Sequence, residues 1–236
     1  MKSQDFARIA ILLLGGKGVR LGKDSPKQYR LVRGIPLFGY AAKTLSNSPF
    51  VDAIVYVVPN GDETKVEAFL KDLSIDYKPH WIVRGGASRE ESLSHALLKL
   101  KELGISKDAL LLCHDAARPN LTEQMIEANF EAATQSGAAV TAIPSKDSLV
   151  LSQDGVHLAQ YLPRQDIWRL QTPQTYRFFL IEEAVFAADT RLEDYTDEGS
   201  LLVAKAKIAP AIVLGDESNY KVTDASDWER FCQEKR

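Results

Sequence analysis

Five apolar runs in the first 143 residues are unbroken rather than alternating: ARIAILLL (7–14), AIVYVV (53–58), HWIV (80–83), ALLLC (109–113) and AAVTAI (138–143). A strand with one wet face alternates apolar and polar residues; an unbroken run needs cover on both faces. The stretches between supply that cover. Residues 37–45, 63–73, 88–103 and 122–134 carry apolar side chains at helical spacing, with Val66, Phe69, Leu70 and Leu73 on one side of the second. Ser88, Asp108 and Thr122 stand where helix N-caps belong. This alternation predicts an α/β fold, a doubly wound, mostly parallel sheet. Ligands in such sheets bind outside the carboxyl ends of the strands.

From Pro144 the rhythm changes. A β-prone run (147–151), a Gln153-Asp154-Gly155 turn and a second β-prone run (156–162) predict a protruding hairpin arm, bracketed by Pro144 and Pro163. A lone two-stranded hairpin is not stable by itself, so this arm needs something to pack on, and a second subunit is the natural candidate. Helices over 178–188 and 197–206, a strand over 211–214 and a last helix from Asp224 complete the chain.

Composition sets the class of partner. With 236 residues the chain is one large domain, here with an inserted arm at about 144–168. A net charge of −3 gives no global attraction to nucleic acid or to acidic membranes, so any anion site is local. Asp5 and Arg8 precede a short apolar run at the N-terminus, unlike a signal peptide, and no run approaches bilayer length. The two cysteines, Cys113 and Cys232, form neither a metal cluster nor a disulfide framework, which suits a reducing, cytoplasmic setting.

Local anion chemistry is concentrated after the first run. Leu14 leads into Gly15, Gly16 and Gly18, then Arg20 and Pro26-Lys27. Glycines there let backbone N–H groups approach an anion, and the two cations fit a polyphosphate. No Gly-Lys-Ser/Thr closes a P-loop, and the glycine spacing misses the dinucleotide fingerprint. Pro26 restricts Ser25 and stiffens the entry to Lys27. Two more polar clusters follow strands: Gly85-Gly86-Ala87-Ser88-Arg89, and His114-Asp115-Ala116-Ala117-Arg118-Pro119. All three are expected at one edge of the sheet. Asp115 either holds a cation or ligand hydroxyl, or caps a strand end and pairs with Arg118. His114 reads as a packed strand-end side chain. Asp197-Glu198 opens a helix.

Taken in order, GGKGVRLGKDSPKQY, GGASREES, HDAARP, PRQDIWRLQTPQ, TDEGS and YKVT resemble the 2-C-methyl-D-erythritol 4-phosphate cytidylyltransferases and span nearly the whole chain. The ribitol-5-phosphate cytidylyltransferases share the glycine loop, PKQ and TPQ; HDAARP and TDEGS favour the former. A non-enzymatic CTP-binding module on the same fold is a third reading. The resemblance implies a Rossmann-like nucleotidyltransferase that moves a cytidylyl group from CTP to methylerythritol phosphate, in a homodimer that exchanges its arms. It implies a catalytic set of Arg20, Lys27, Arg164 and Lys221. Nucleotide contacts fall on Leu14, Gly15, Gly16, Gly18, Lys27, Gly86, Ser92 and Asp115. Acceptor contacts fall on Asp115, Arg118, Ser148, Arg164, Thr172 and Lys221. Mg²⁺ is expected mainly on the CTP phosphates, with Asp115 as its protein ligand. The chain departs from the family pattern at Leu14-Gly15-Gly16, where Ala-Ala-Gly is usual, at Ser148, where Thr is usual, and at Ala87, where Asp often follows the glycine pair.

Overall fold

The structure, a computed structural model, describes residues 6–15, 26–187, 195 and 197–235. In chain order its elements are β1 (Arg8–Leu13), β2 (Leu31–Val32), β3 (Ile35–Pro36), α1 (Leu37–Asn47), β4 (Ala53–Val58), α2 (Glu63–Asp72), β5 (His80–Arg84), α3 (Arg89–Glu102), β6 (Leu110–Asp115) and α4 (Glu123–Ser136). Then come β7 (Ala138–Pro144), β8 (Leu149–Leu151), β9 (Gln160–Leu162), β10 (Trp168–Arg177), α5 (Phe178–Phe186), α6 (Glu198–Leu201), β11 (Ala211–Leu214) and α7 (Ala225–Glu234). A π turn, Leu202–Ala206, continues α6.

Among the described residues, seven strands form one sheet in the order β11-β7-β10-β6-β1-β4-β5. Every neighbouring pair is parallel except those made by β10, which runs antiparallel to both β6 and β7. The alternation of strand side chains builds two apolar layers. Ala10, Leu12, Ile54, Tyr56 and Leu112 face α1, α2 and α4 through Phe38, Leu45, Leu70 and Phe130. Ile9, Ile11, Val55, Leu111 and Cys113 face α3, α5 and α6 through Leu97, Leu100, Phe178, Ile181 and Leu201. Each buried Leu, Ile, Val or Phe among them contributes roughly 1.5–3 kcal/mol by leaving water. This is why the runs are unbroken: both faces of the central strands are dry.

Helix ends follow the expected chemistry. Ser88 and Thr122 accept backbone N–H bonds from Glu91 and Met125 as N-caps of α3 and α4. Gly137, at φ +81°, ends α4 in the left-handed region and feeds β7 directly. Asp197 and Asp224 close capping boxes at α6 and α7. Asp108 caps no helix.

Two elements differ from the sequence expectation. The arm's strands pair over three residues each, Leu149 with Leu162 through Leu151 with Gln160, and form a small sheet of their own. The tight Asp-Gly turn gives way to a longer connection, because the Asp154 carboxylate accepts the N–H groups of Val156 (2.9 Å) and His157 (2.8 Å) and draws them off the ladder. The second difference is β10, which sequence pattern did not reveal. Pro173 argues against an interior strand, yet the β7 pairing shifts register between Leu170 and Gln174 and so accommodates it.

Candidate active site

The chain runs from β1 to β4 and β5 on one side, then returns to place β6 on the other side of β1. That reversal opens a crevice at the carboxyl ends of β1 and β6, where Leu13 and Asp115 are register partners. A cleft of about 890 Å³ occupies this place. Its walls come from all three sequence clusters and from one later segment: Leu14, Gly15, Lys27 and Gln28 after β1, Gly85 to Arg89 with Ser92 after β5, Asp115 to Ala117 at the end of β6, and then Lys221 and Thr223. Asn60, Asp62, Glu91 and His95 also line it.

Lys27 begins a single 3₁₀ turn, Lys27–Tyr29, whose next two residues are buried. The Tyr29 hydroxyl donates to Asp62 (2.7 Å), and its ring stacks on Phe69. The Lys27 ammonium donates to the carbonyl of Val222 (2.7 Å). Val222 in turn is held by its N–H to Ala117 (2.8 Å) and by packing with Val32, Leu37 and Phe231. The last helix therefore secures both the Lys27 contact and the strand of chain that carries Lys221.

The glycine pair after β5 sits against α3. A Cβ on Gly85 would come within 2.9 Å of the Ser92 hydroxyl, and one on Gly86 would collide with Glu91. Ser92 donates to Ser88 (2.7 Å) and accepts from the Gly86 N–H (3.0 Å). The Ala87 N–H donates to the Glu91 carboxylate (2.6 Å).

Asp115 is the electrostatic centre. Its Oδ1 accepts from Arg89 Nε (3.0 Å), and its Oδ2 accepts from the Lys221 ammonium (2.7 Å). Burial alone would raise this carboxyl, but Arg89 and then Lys221 outweigh burial and hold it well below the ordinary carboxylate range. The pairing with Arg118 that the sequence left open does not form. Arg118 instead donates to the carbonyl of Asn219 (2.8 Å). Arg89 also reaches Glu198 at the start of α6 (2.7 Å). No string of adjacent residues points to this Arg89–Glu198 pair. One signal for it existed: a cation in the first turn of a helix opposes the helix dipole, so Arg89 needs a tertiary reason to be there.

Beneath Asp115 lies a polar brace. His114 donates from Nε2 to the carbonyl of Arg118 (2.9 Å), so Nδ1 is the acceptor. The Thr172 hydroxyl donates to that Nδ1 (3.1 Å) and accepts the Asp115 N–H (3.1 Å). Burial pushes the His114 imidazole down from 6.5 to about 4. The unfolded chain therefore binds the extra proton first. His114's share of stability is full above pH 6.5, falls as pH drops toward about 4, and amounts to roughly 3 kcal/mol at most. Asp115 has the opposite ordinary charge but the same acid sensitivity, with loss beginning only below about 3.8. The urea midpoint is expected to fall between about pH 7 and about pH 4.5. In His114→Asn that limb flattens, and equal slopes in the two proteins would count against the assignment.

Residues 9–231 match the family described as IspD: 2-C-methyl-D-erythritol 4-phosphate cytidylyltransferase. The chain belongs to that family. A 2-C-methyl-D-erythritol 4-phosphate cytidylyltransferase of Thermotoga neapolitana is 36% identical over 221 residues, covering 94% of this chain and 93% of its own. One from Syntrophus aciditrophicus is 34% identical over 221 residues, covering 93% and 92%. The solved structure of 4-diphosphocytidyl-2C-methyl-D-erythritol synthase from Anaerococcus prevotii shares the fold, with a TM-score of 0.79 at 24% identity over 98% of each chain.

Of the positions singled out by resemblance to these cytidylyltransferases, Leu14, Gly15, Lys27, Gly86, Ser92, Asp115 and Lys221 come together in the cleft. Arg118 and Thr172 stand behind it, engaged as described. Ser148 and Arg164 are exposed on the arm and do not line it. Gly16, Gly18 and Arg20 lie outside the described residues.

Proposed function

We propose that the cleft transfers a cytidylyl group from CTP to 2-C-methyl-D-erythritol 4-phosphate, giving 4-diphosphocytidyl-2-C-methyl-D-erythritol and pyrophosphate. The observation that carries this reading is the pair of ammonium groups, Lys27 and Lys221, brought to the switch-point cleft from opposite ends of a chain of this family. The acceptor phosphate is already an anion, so its attack on the α-phosphorus of CTP needs no proton acceptor. Catalysis is then positioning and neutralisation of charge as pyrophosphate leaves. Lys27, with Arg20, stabilises the crowded phosphorus and the leaving group. Lys221 orients the acceptor phosphate. Asp115, ionised through Arg89 and Lys221, binds the acceptor, with Arg118 and Thr172 holding its strand end in place. Leu14, Gly15, Gly86 and Ser92, which line the cleft, contact the nucleotide, and the resemblance assigns Gly16 and Gly18 to the same role.

Mg²⁺ is the divalent metal of this reading. It prefers phosphate and water oxygens over a dedicated protein cage. No group of three or more metal-ligating side chains is gathered among the described residues, and Asp115 is an ionised oxygen donor at the cleft. Asp115 would be its protein ligand through a carboxylate lone pair that Arg89 and Lys221 leave open, and when bound the ion neutralises triphosphate charge.

The whole chain reads as one nucleotidyltransferase domain with an arm at about 144–168, and the arm supports a homodimer. Val150, Leu151 and Tyr161 are exposed on a two-stranded sheet, and Val156 and Leu158 on the connection between its strands, with no further strand to pair with among the described residues. An exchanged arm would carry Arg164 and Ser148 to the partner's cleft. Cys113 is a buried free thiol, Cys232 is half-buried, and no helix among the described residues is long and apolar enough to cross a membrane; these features support a cytoplasmic setting.

The test is an acceptor panel: protein, CTP, Mg²⁺ and either methylerythritol phosphate or ribitol 5-phosphate, with pyrophosphate measured. Release with the first acceptor is expected. Release only with the second gives the ribitol reading, and tight CTP binding without release gives a binding module.

A further inference from the structure

We propose that Arg89 and Glu198 are positioning residues that, through the Asp115 carboxylate, fix where the Lys221 ammonium stands in the cleft. The inference deepens the reading above and rests on it for the role of Lys221.

Lys221 lies in irregular chain after β11, and its side chain is 40% exposed. A long flexible side chain in such a segment has many rotamers of similar energy. What holds it is Asp115 Oδ2 at 2.7 Å. That hold is directional only if the carboxylate itself cannot turn, and Arg89 Nε on Oδ1 at 3.0 Å stops it turning. The two carboxylate oxygens are thus divided between two cations.

Arg89 needs its own anchor. Its side chain is 22% exposed at the N-terminal turn of α3, where the helix dipole disfavours a cation. Glu198, 2% exposed, accepts from Arg89 Nη1 at 2.7 Å. The guanidinium therefore spans two carboxylates with two different nitrogens. Its planar fork is suited to this, and a lysine could not reproduce it. Glu198 has an independent reason to be fixed: it begins α6, directly after the capping box of Asp197. Its Oε2 is buried with no hydrogen-bond partner, so the carboxylate is oriented by Arg89 alone among the described residues. The relay joins four parts of the fold through three contacts, from α6 to α3, to the end of β6, to the chain after β11. Two negative and two positive groups alternate along it, so no member is an uncompensated buried charge. Arg118, whose carbonyl and guanidinium are engaged elsewhere, takes no part.

The experiment uses the full-length protein with Arg89→Met, Arg89→Lys and Glu198→Gln. Arg89→Met is expected to lower kcat by about 10- to 100-fold and raise the acceptor KM, while the CTP KM stays near wild type. Glu198→Gln is expected to move the same two constants by about tenfold or less, and Arg89→Lys to recover part of the loss. A readout that needs no turnover accompanies these: ¹⁵N relaxation of the Lys221 ammonium in the free protein, expected to be ordered in wild type and mobile in Arg89→Met and Glu198→Gln. An ammonium equally ordered in all variants overturns the proposal. So do wild-type acceptor constants in Arg89→Met, or equal changes for CTP and acceptor, which would mark general loosening. Should Arg89→Met fail to fold, Glu198→Gln and Arg89→Lys decide by the same readouts. A wild-type protein inactive on every acceptor would remove the cytidylyl-transfer reading, and the ammonium measurement would still decide the relay.

Discussion

Replacing Lys27 by alanine lowers kcat by on the order of 10²- to 10³-fold and leaves the protein folded. In the proposed reaction the charge removed is the one that meets the triphosphate where negative charge accumulates as the P–O bond to pyrophosphate breaks. An ammonium in a partly buried cleft is worth far more to such a transition state than the same group in water. The ground-state complex keeps the glycine backbone and the remaining cations, so the CTP KM is expected to change much less than kcat. The fold survives because Tyr29, not Lys27, anchors that turn, through Asp62, Phe38 and Phe69. Steady-state kinetics with thermal unfolding as a control checks this. An unchanged kcat removes Lys27 from the mechanism.

Arg164→Ala and Lys27→Ala, each nearly inactive alone, regain about a quarter of wild-type activity when unfolded together and refolded as a mixture. In a randomly mixed dimer population about half the molecules are heterodimers, and each contains one cleft with intact Lys27 facing an arm with intact Arg164. The geometry motivates the test. Arg164 stands exposed in a 3₁₀ turn after β9, and its guanidinium reaches only the carbonyl of Lys146, at 3.4 Å, among the described residues. A side chain so placed acts on chemistry only if its arm enters another molecule's cleft. If Arg164 served its own cleft, the mixture would stay inactive, since every subunit would carry one defect. A monomeric mass in solution with full activity would refute the exchange as well.

Much of the architecture is legible in the sequence alone. Unbroken runs at 53–58 and 109–113 require cover on both faces, and helical spacing at 63–73 and 88–103 supplies it. The helices and central strands fall within a few residues of those positions. The arm was visible as β-prone sequence between two prolines, although its turn was not, because the Asp154 carboxylate competes locally for backbone N–H groups. β10 is hidden from local pattern for a related reason. Pro173 speaks against a strand by every local rule, and only a register shift against β7 makes room for it.

By itself the sequence determined the mostly parallel α/β class and the edge of the sheet at which the polar clusters and the two lysines gather, because each of these follows from periodicity or from strings of adjacent residues. Only the tertiary structure decided whom those residues touch. Asp115 is paired with Arg89, 26 residues before it, and with Lys221, 106 residues after it, rather than with Arg118 three residues away. Insertion of β10 beside β6 carries the Thr172 hydroxyl, 57 residues along the chain, onto the Asp115 N–H. Side-chain period reports which face of a strand is dry, but partners so far apart are chosen by the order of strands in the sheet, and no local pattern encodes that order.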